Sequence, residues 1–505
     1  MTTPKISRRG LLGMVAAGAA AAAVPMAAAA PAEAATTPAD ALLHLLRRAT
    51  YGLAPALVAE ARGLGAAAWL DQQLAPESID DTACDSLVAR YPRLTHSIPQ
   101  VRAELSMGGW DVMQDLGEAT LARATWSRRQ LLEVMVEFWS NHLNVTCPSS
   151  DVWDCRHRFD ADVIRPHALG HFDDMLVASS MHPAMLHFLN NDVSTKQSPN
   201  ENFGRELLEL HTVGVEAGYT EAEMRNSALV MTGCTTDYTT GEFIYRSRWH
   251  YTGPVAVLGW SHANVSATGG QAVATEYLRF LASHRQTALH LARKLATRFI
   301  RDDPSDTLIA KIAQAYLDND TAIIPTLRAV FASVGFAGSV GLKVRRPYEE
   351  LIATVRALGI GPDASGTTGI QGLYWMVQDI GQAPMAWHAP DGYPDVAVAW
   401  QSASGTLGRW NAHLSLAAGW WPDTLTPAVL RDLLPTPLPA TWGGVVDALA
   451  TRLVWRRLSQ ADRATVLTAV QYTAGAPARS SDEWLGWKLP YLVSLILDLP
   501  HHGTR

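Results

Sequence analysis

Asn200-Glu201-Asn202-Phe203-Gly204-Arg205-Glu206-Leu207-Leu208-Glu209-Leu210-His211 is the stretch that decides the fold. It sits inside the run HPAMLHFLNNDVSTKQSPNENFGRELLELHTVGVEAGYTEAEMRNSALVMTG, from His182 to Gly233. Pro199 and Asn200 predict a helix start, and Gly214 predicts its stop. At about 100° per residue, Asn202, Arg205, Glu206 and Glu209 fall on one narrow face. Leu207, Leu208, Leu210 and His211 occupy the rest. The ordinary reading of such a stripe is a solvated face with an Arg–Glu ion pair. His211 amid the leucines argues instead that the helix is covered all round, with Glu206 and Glu209 mostly buried. A buried polar stripe costs stability unless its groups are satisfied or used.

Carboxylates three apart on a helix lie about one turn apart and point the same way. Such a pair can share a metal, or one member can act as general acid while the other stays ionised. Arg205 and Asn202 would then tune the pair or hold a hydroxylated or anionic substrate. Adjacent helix residues point about 100° apart, so Arg205 is expected to serve Glu209 better than Glu206. Glu206 is therefore the better proton donor or metal ligand. His142, His167 and Asp391 are the groups expected to meet the pair. Asp391 belongs to a second candidate, the loop Trp387-His388-Ala389-Pro390-Asp391-Gly392-Tyr393-Pro394-Asp395, where Gly and Pro fix the backbone around two acids and a phenol. The alternative for this loop is an ordinary turn. Trp387, His388, Tyr393 and Trp400 would suit a wall on which sugars stack.

The chain has 505 residues, of which 18% are charged and 48% hydrophobic, which suits a large, well-buried globular protein. A net charge of -7 leaves no basic footprint for nucleic acid. The 17 tryptophans are mostly expected in the core, with some available as stacking platforms. Ser7-Arg8-Arg9-Gly10-Leu11-Leu12 precedes an Ala-rich run to Ala30 and resembles a twin-arginine export signal. Ala32-Glu33-Ala34 offers a cleavage site, so residues 1–34 are expected to be a signal and Ala35 the mature start. An ordinary secretory signal is the alternative. No later run reaches the length of a membrane span. Export permits disulfides, and Cys147 and Cys155 flank a short polar loop that a bridge between them would close. There is no C-x-x-C, G-x-S-x-G, Gly-rich phosphate cradle or H-E-x-x-H. Neither glutamate has a histidine three residues on, so a ferritin-like di-iron site is not supported. Each of the 17 histidines, taken alone, is more simply a core or capping group.

Along the chain, Asp40 predicts the cap of a first helix, followed by helices near 57–74, 101–108 and 116–139. Thr220-Glu221-Ala222-Glu223 is a capping box. Glu242–Tyr245 and Val255–Leu258 predict a small β-hairpin insertion near 235–262. Helices return at 276–283, 286–300, 308–317, 323–334, 347–358 and 400–418, and continue in the tail. The fold class is all-α: a single large multi-helix domain over 35–505 with that one β insertion.

Taken together, HLLRRATYGL, EFWSNHLNV, DVIRPHALGHF, HPAMLHFLNN, SPNENFGRELLELHTVGV and PDGYPD resemble the bacterial "domain of unknown function 1800" family over most of the mature chain. The resemblance implies an exported, mostly helical protein, often encoded beside a secreted family that looks like sulfatases and alkaline phosphatases. It implies no catalytic residues. One departure stands out: where members read like N-P-R-R-H-D-x-G, this chain has Tyr245-Arg246-Ser247-Arg248-Trp249-His250-Tyr251-Thr252-Gly253.

The expectation is an exported enzyme acting on an extracellular polymer, a polysaccharide, by carboxylate acid–base chemistry of hydrolase or lyase type. Glu206, Glu209, Asp391 and His142 would be catalytic, and Asn202, Arg205, Trp387, His388, Tyr393 and Trp400 would bind substrate. A metal-dependent enzyme, with a divalent metal as its cofactor, or a redox enzyme is one alternative. A non-enzymatic binding or assembly partner of the phosphatase-like secreted protein is another.

Overall fold

Asp40 caps the first described helix, Ala41–Ala49, where its carboxylate accepts from the Leu43 amide at 3.0 Å. The computed structural model describes residues 40–505, so the signal expected over 1–34 lies outside the described residues. Other sequence-encoded caps form as well. Asn200 accepts from the Phe203 amide at 3.0 Å, and Thr220 and Glu223 close a reciprocal capping box. Gly214, with φ +84°, ends the organising helix in a conformation that suits glycine. Helix Pro347–Leu358 has the bounds the sequence predicts.

Two long helices are broken where periodicity predicts continuity. The 57–74 segment is two helices, Pro55–Leu64 and Ala66–Gln73, with Gly65 at φ +82° between them. The 116–139 segment is Asp111–Trp126 and Gln130–His142. Asp81, distant in sequence, imposes that break. Its carboxylate accepts from the Ser127 hydroxyl at 2.6 Å and from the Arg128 amide at 2.8 Å. The Gln130 side chain donates to the freed carbonyls of Ala124 and Ser127 at 3.1 and 2.9 Å. Side chains thus replace the helical bonds lost there.

The β excursion is two ribbons rather than one hairpin. Cys234–Thr236 pairs antiparallel with Phe243–Tyr245, and Val255–Val257 pairs with Trp260–His262. The two predicted strands are present, yet each takes a nearer partner than the other. A third ribbon, Gly361–Asp363 with Leu425–Thr426, joins segments too far apart for periodicity to connect.

Residues Ala39–Arg505 form one compact unit with a continuous apolar core. No described helix is long and apolar enough to cross a membrane. The organising helix docks on Glu221–Val230 through Gly204, where a Cβ would stand 2.7 Å from the Ala228 amide nitrogen. The expected Cys147–Cys155 bridge does not form, and all four cysteines are free and buried. The segment between them coils into a turn at Ser150–Val152, and each thiol points at a carbonyl, Met113 or Val152. Burial pushes the Cys147 thiol up to about 12, so it stays protonated and unreactive.

A buried ionic network crosses the core. Glu349 meets Arg298, Arg505 at 2.9 Å and Arg346 at 3.2 Å. Arg346 reaches Glu137 at 2.7 Å, and Asp395 meets Lys343 at 3.2 Å and Arg505 at 3.3 Å. Burial alone would raise the Glu349 carboxyl, but Arg298, Arg505 and Arg346 outweigh it and hold it well below the usual range.

Candidate functional site

The organising helix starts as the sequence dictates and then changes pitch. Glu201–Glu206 is α-helical and Leu207–His211 is a wider π-turn. Such turns recur at functional sites. The Thr212 hydroxyl donates to the Leu207 carbonyl at 2.7 Å, and the Gly214 amide to the Leu208 carbonyl at 2.9 Å, which closes the widened end. The expected all-round covering is only half present. Leu207, Leu208 and His211 are buried, whereas Glu206 and Glu209 are half-buried and Asn202 is exposed. The polar stripe is therefore partly open to solvent, with Tyr219 and Glu221 reaching its Glu209 and Arg205.

The two glutamates differ sharply. Glu209 is satisfied: it accepts from the Tyr219 hydroxyl at 2.5 Å and pairs with Arg205 at 3.4 Å. Arg205 also holds Glu221 at 3.1 Å. Burial and the bond to Glu209 keep the Tyr219 phenol well above its ordinary value, so it remains a donor. Glu206 has no hydrogen bond or ion pair among the described residues. Its carboxyl is raised above its ordinary 4.5, first by burial, then by the charges of Glu209 and Asp391, with Arg205 opposing. The sequence expectation that Arg205 serves Glu209 and leaves Glu206 free matches this geometry.

Asp391 reaches the same place from a distant loop. The motif Glu137-Phe138-Trp139-Ser140-Asn141-His142-Leu143-Asn144-Val145 turns out to be that loop's splint. The Asn141 side chain donates to the Tyr393 carbonyl at 2.8 Å and accepts from its amide at 2.6 Å. Asn144 donates to the carbonyls of Trp387 and Ala389 at 2.9 and 2.7 Å, and Thr146 to that of Trp387 at 2.7 Å. Gly392, at φ +75°, is required here because a Cβ would sit 2.1 Å from the Asn141 carbonyl oxygen. The loop's far end is tied by Asp395, whose carboxylate belongs to the buried network. Between these anchors, exposed Asp391 accepts from the Trp387 indole at 2.8 Å. Trp387, Tyr393 and Trp400 follow one another with ring centres 5.2 and 5.8 Å apart. The Tyr393 hydroxyl donates to the Ala383 carbonyl at 3.0 Å and the Trp400 indole to that of Pro394 at 2.9 Å. His388 is exposed beside them. A cavity of about 30 Å³ lies behind the loop, lined by Glu137, Asn141, Asn144 and Tyr393 among others, and is the size of a bound water.

His142 and His167 do not meet the glutamates as expected. His167 bonds the Val163 carbonyl at 2.7 Å, on the helical turn just before its own. His142 is fully buried against Trp139 and Phe172. Its Nε2 faces the His211 carbonyl at 3.1 Å and must carry the proton. Its bare Nδ1 then accepts from the Lys294 ammonium, 2.9 Å away. Lys294, on helix Arg285–Phe299, is half-buried and makes no ion pair among the described residues. Burial lowers its amine to about 8, with Asp391 close enough to pull it partly back. His211 and His290 flank the pair, and the Nε2 atom of each is buried without a partner. Burial and then the neighbouring Lys294 hold His290 down at about 4 and His211 at about 3, so both rings are neutral. Among the described residues, no group of three or more His, Cys, Asp and Glu side chains is placed to hold a metal ion.

A family model described as "protein of unknown function (DUF1800)" matches residues 44–502. The chain belongs to this family. No curated protein and no solved structure matches it. The family brings no assigned residues, so the DUF1800 site rests on the geometry of this chain. A separate groove of about 960 Å³ between helices Trp442–Val454 and Gln460–Ala469 contains none of the residues above. Lys294 and His290 had escaped the sequence reading. Their only sequence trace is a lysine and a histidine four apart on an amphipathic helix, a common surface pattern.

Proposed function

We propose that this protein is an exported enzyme that cleaves a polysaccharide by carboxylate acid–base chemistry. Glu206 is the proton donor and Asp391 the second carboxylate of the site. The observation that carries this reading is the asymmetry of the two glutamates. Glu206 is half-buried, unpaired and raised in proton affinity, while Glu209 beside it is neutralised by Arg205 and Tyr219. A carboxyl group of raised proton affinity beside a carboxylate already held in hydrogen bonds is an arrangement suited to donating a proton to a leaving oxygen. Asp391 is oriented through one oxygen by the Trp387 indole, which leaves its other oxygen free to meet substrate or a cation. The splinted loop also presents Trp387, Tyr393 and Trp400 beside the acids, a surface suited to the flat apolar faces of sugars. His142 serves this site from behind, through Lys294.

The test is a screen of extracellular polysaccharides for new reducing ends or unsaturated products, run with the purified chain and with Glu206→Gln. Loss of about 100-fold or more in the variant, with its fold intact, supports the assignment. Cleavage at the native rate by Glu206→Gln overturns it.

A further inference from the structure

Lys294 and Lys343 make an internal comparison. Lys343 is buried and surrounded by acceptors suited to a permanent cation: Asp302 at 2.5 Å, the Asp395 carboxylate at 3.2 Å and the Asp395 carbonyl at 2.7 Å. That is how a structural lysine is stabilised inside a protein. Lys294 has none of these. Among the described residues, the one hydrogen-bond partner of its amine is the uncharged Nδ1 of His142 at 2.9 Å. His142 is itself locked by the His211 carbonyl, so it can accept a bond from Lys294 without moving. The remaining groups around the amine are neutral His211 and His290, Arg293 on its own helix, and Asp391 from the splinted loop. A cation placed here is poorly supported, whereas a neutral amine keeps the bond to His142 and leaves its lone pair unused.

We propose that Lys294 is a proton-accepting group of the Glu206–Asp391 site, oriented from behind by His142. For the position of substrate this rests on the function proposed above; the state of the amine does not depend on it. In the step, a substrate O–H or C–H bond, or an O–H bond of water, breaks. The proton goes to Nζ; the electron pair left behind forms a bond from oxygen to the sugar carbon in hydrolysis, or the C=C bond in elimination, and the C–O bond to the leaving oxygen breaks with its pair on that oxygen. The ammonium so formed is stabilised by Asp391 on the open side and keeps its bond to His142 on the closed side. Glu206 returns a proton to the leaving oxygen, so charge and protons balance. His142 touches no substrate in this scheme and is a positioning residue.

Two measurements test this. The first is trace acetylation of the folded chain with acetic anhydride from about pH 6 to 11, read lysine by lysine by mass spectrometry against exposed Lys196 and Lys311. Lys294 should reach half its full reactivity near pH 8, below the about 10.4 of an ordinary lysine side chain. An ordinary profile at Lys294, or no labelling at any pH while Lys196 and Lys311 react, overturns the proposal. The second is Lys294→Arg, which keeps the cation but cannot give up its proton, assayed on the substrate found by the polysaccharide screen. A loss of about 100-fold or more is expected. Native activity in this variant would make Lys294 a mere counter-charge to Asp391 and refute the proposal, even if Glu206→Gln is inactive. An active Glu206→Gln beside an inactive Lys294→Arg would instead remove the acid assignment and keep this one.

Discussion

Replacing Glu206 and Glu209 by Gln, one at a time, should move stability in opposite directions, although the two residues are three apart on one helix. Glu209 stands to lose its charge-assisted bond from Tyr219 at 2.5 Å and its pairing with Arg205 at 3.4 Å. A bond to a charged group contributes roughly 1.5–3 kcal/mol. Gln still accepts from Tyr219, and Arg205 is 38% exposed, so solvent screening leaves a net cost of about 1 kcal/mol. Glu206 has no side-chain partner to lose among the described residues, and its removal relieves repulsion from Glu209 and Asp391. In a half-buried setting that relief is at most about 1 kcal/mol of gain. The pH dependence fixes the sign. Glu206 is raised above 4.5 in the folded state, so the folded chain holds that proton longer than the unfolded chain. Stability therefore falls as pH rises from about 4.5 through the raised value, and the Gln variant escapes that fall. Urea unfolding followed by tryptophan fluorescence should find Glu206→Gln level with the native chain near about pH 4 and above it near about pH 7. A Glu206→Gln variant clearly less stable at neutral pH would reveal a stabilising partner and refute the reasoning.

Glu349→Gln should cost about 3–5 kcal/mol, because it strands Arg298, Arg346 and Arg505 in the core. Glu349 is held below its usual value, so the gap to the native chain should close as pH falls below about 4.5; a constant gap would argue against the ionic cause. Asn141→Ala removes both bonds to the Tyr393 backbone, at a cost of about 2 kcal/mol, and should speed amide exchange at Tyr393; unchanged exchange would show that the splint is not needed. Unfolded without reductant, the chain should take up four alkyl groups, one per free cysteine, and uptake of two would establish a disulfide. Arg8→Lys with Arg9→Lys should stop export, and continued normal secretion would show that the general route is used.

What the sequence decides here is local. Asp40, Asn200 and Thr220 cap helices because a short polar side chain reaches an amide two or three residues ahead. The choice between Glu206 and Glu209 is legible for the same reason, since Arg205 reaches Glu209 across a single turn. The all-α class follows from the same short-range periodicity. The covering of the stripe is not legible, because one buried histidine reports only on its own side of the helix. The break at Ser127–Arg129 has no local signal; it exists because Asp81 arrives from another segment to take the Ser127 hydroxyl and the Arg128 amide. The ribbon between 361–363 and 425–426, the splinting of the 387–395 loop by Asn141 and Asn144, and the Lys294–His142 bond are of the same kind. The last joins atoms whose residues are 152 apart in the chain. Periodicity and capping carry information over a turn or two. Whether a lysine gains a carboxylate or only an imidazole depends on which helices pack together, and that is settled by burial of the apolar core as a whole.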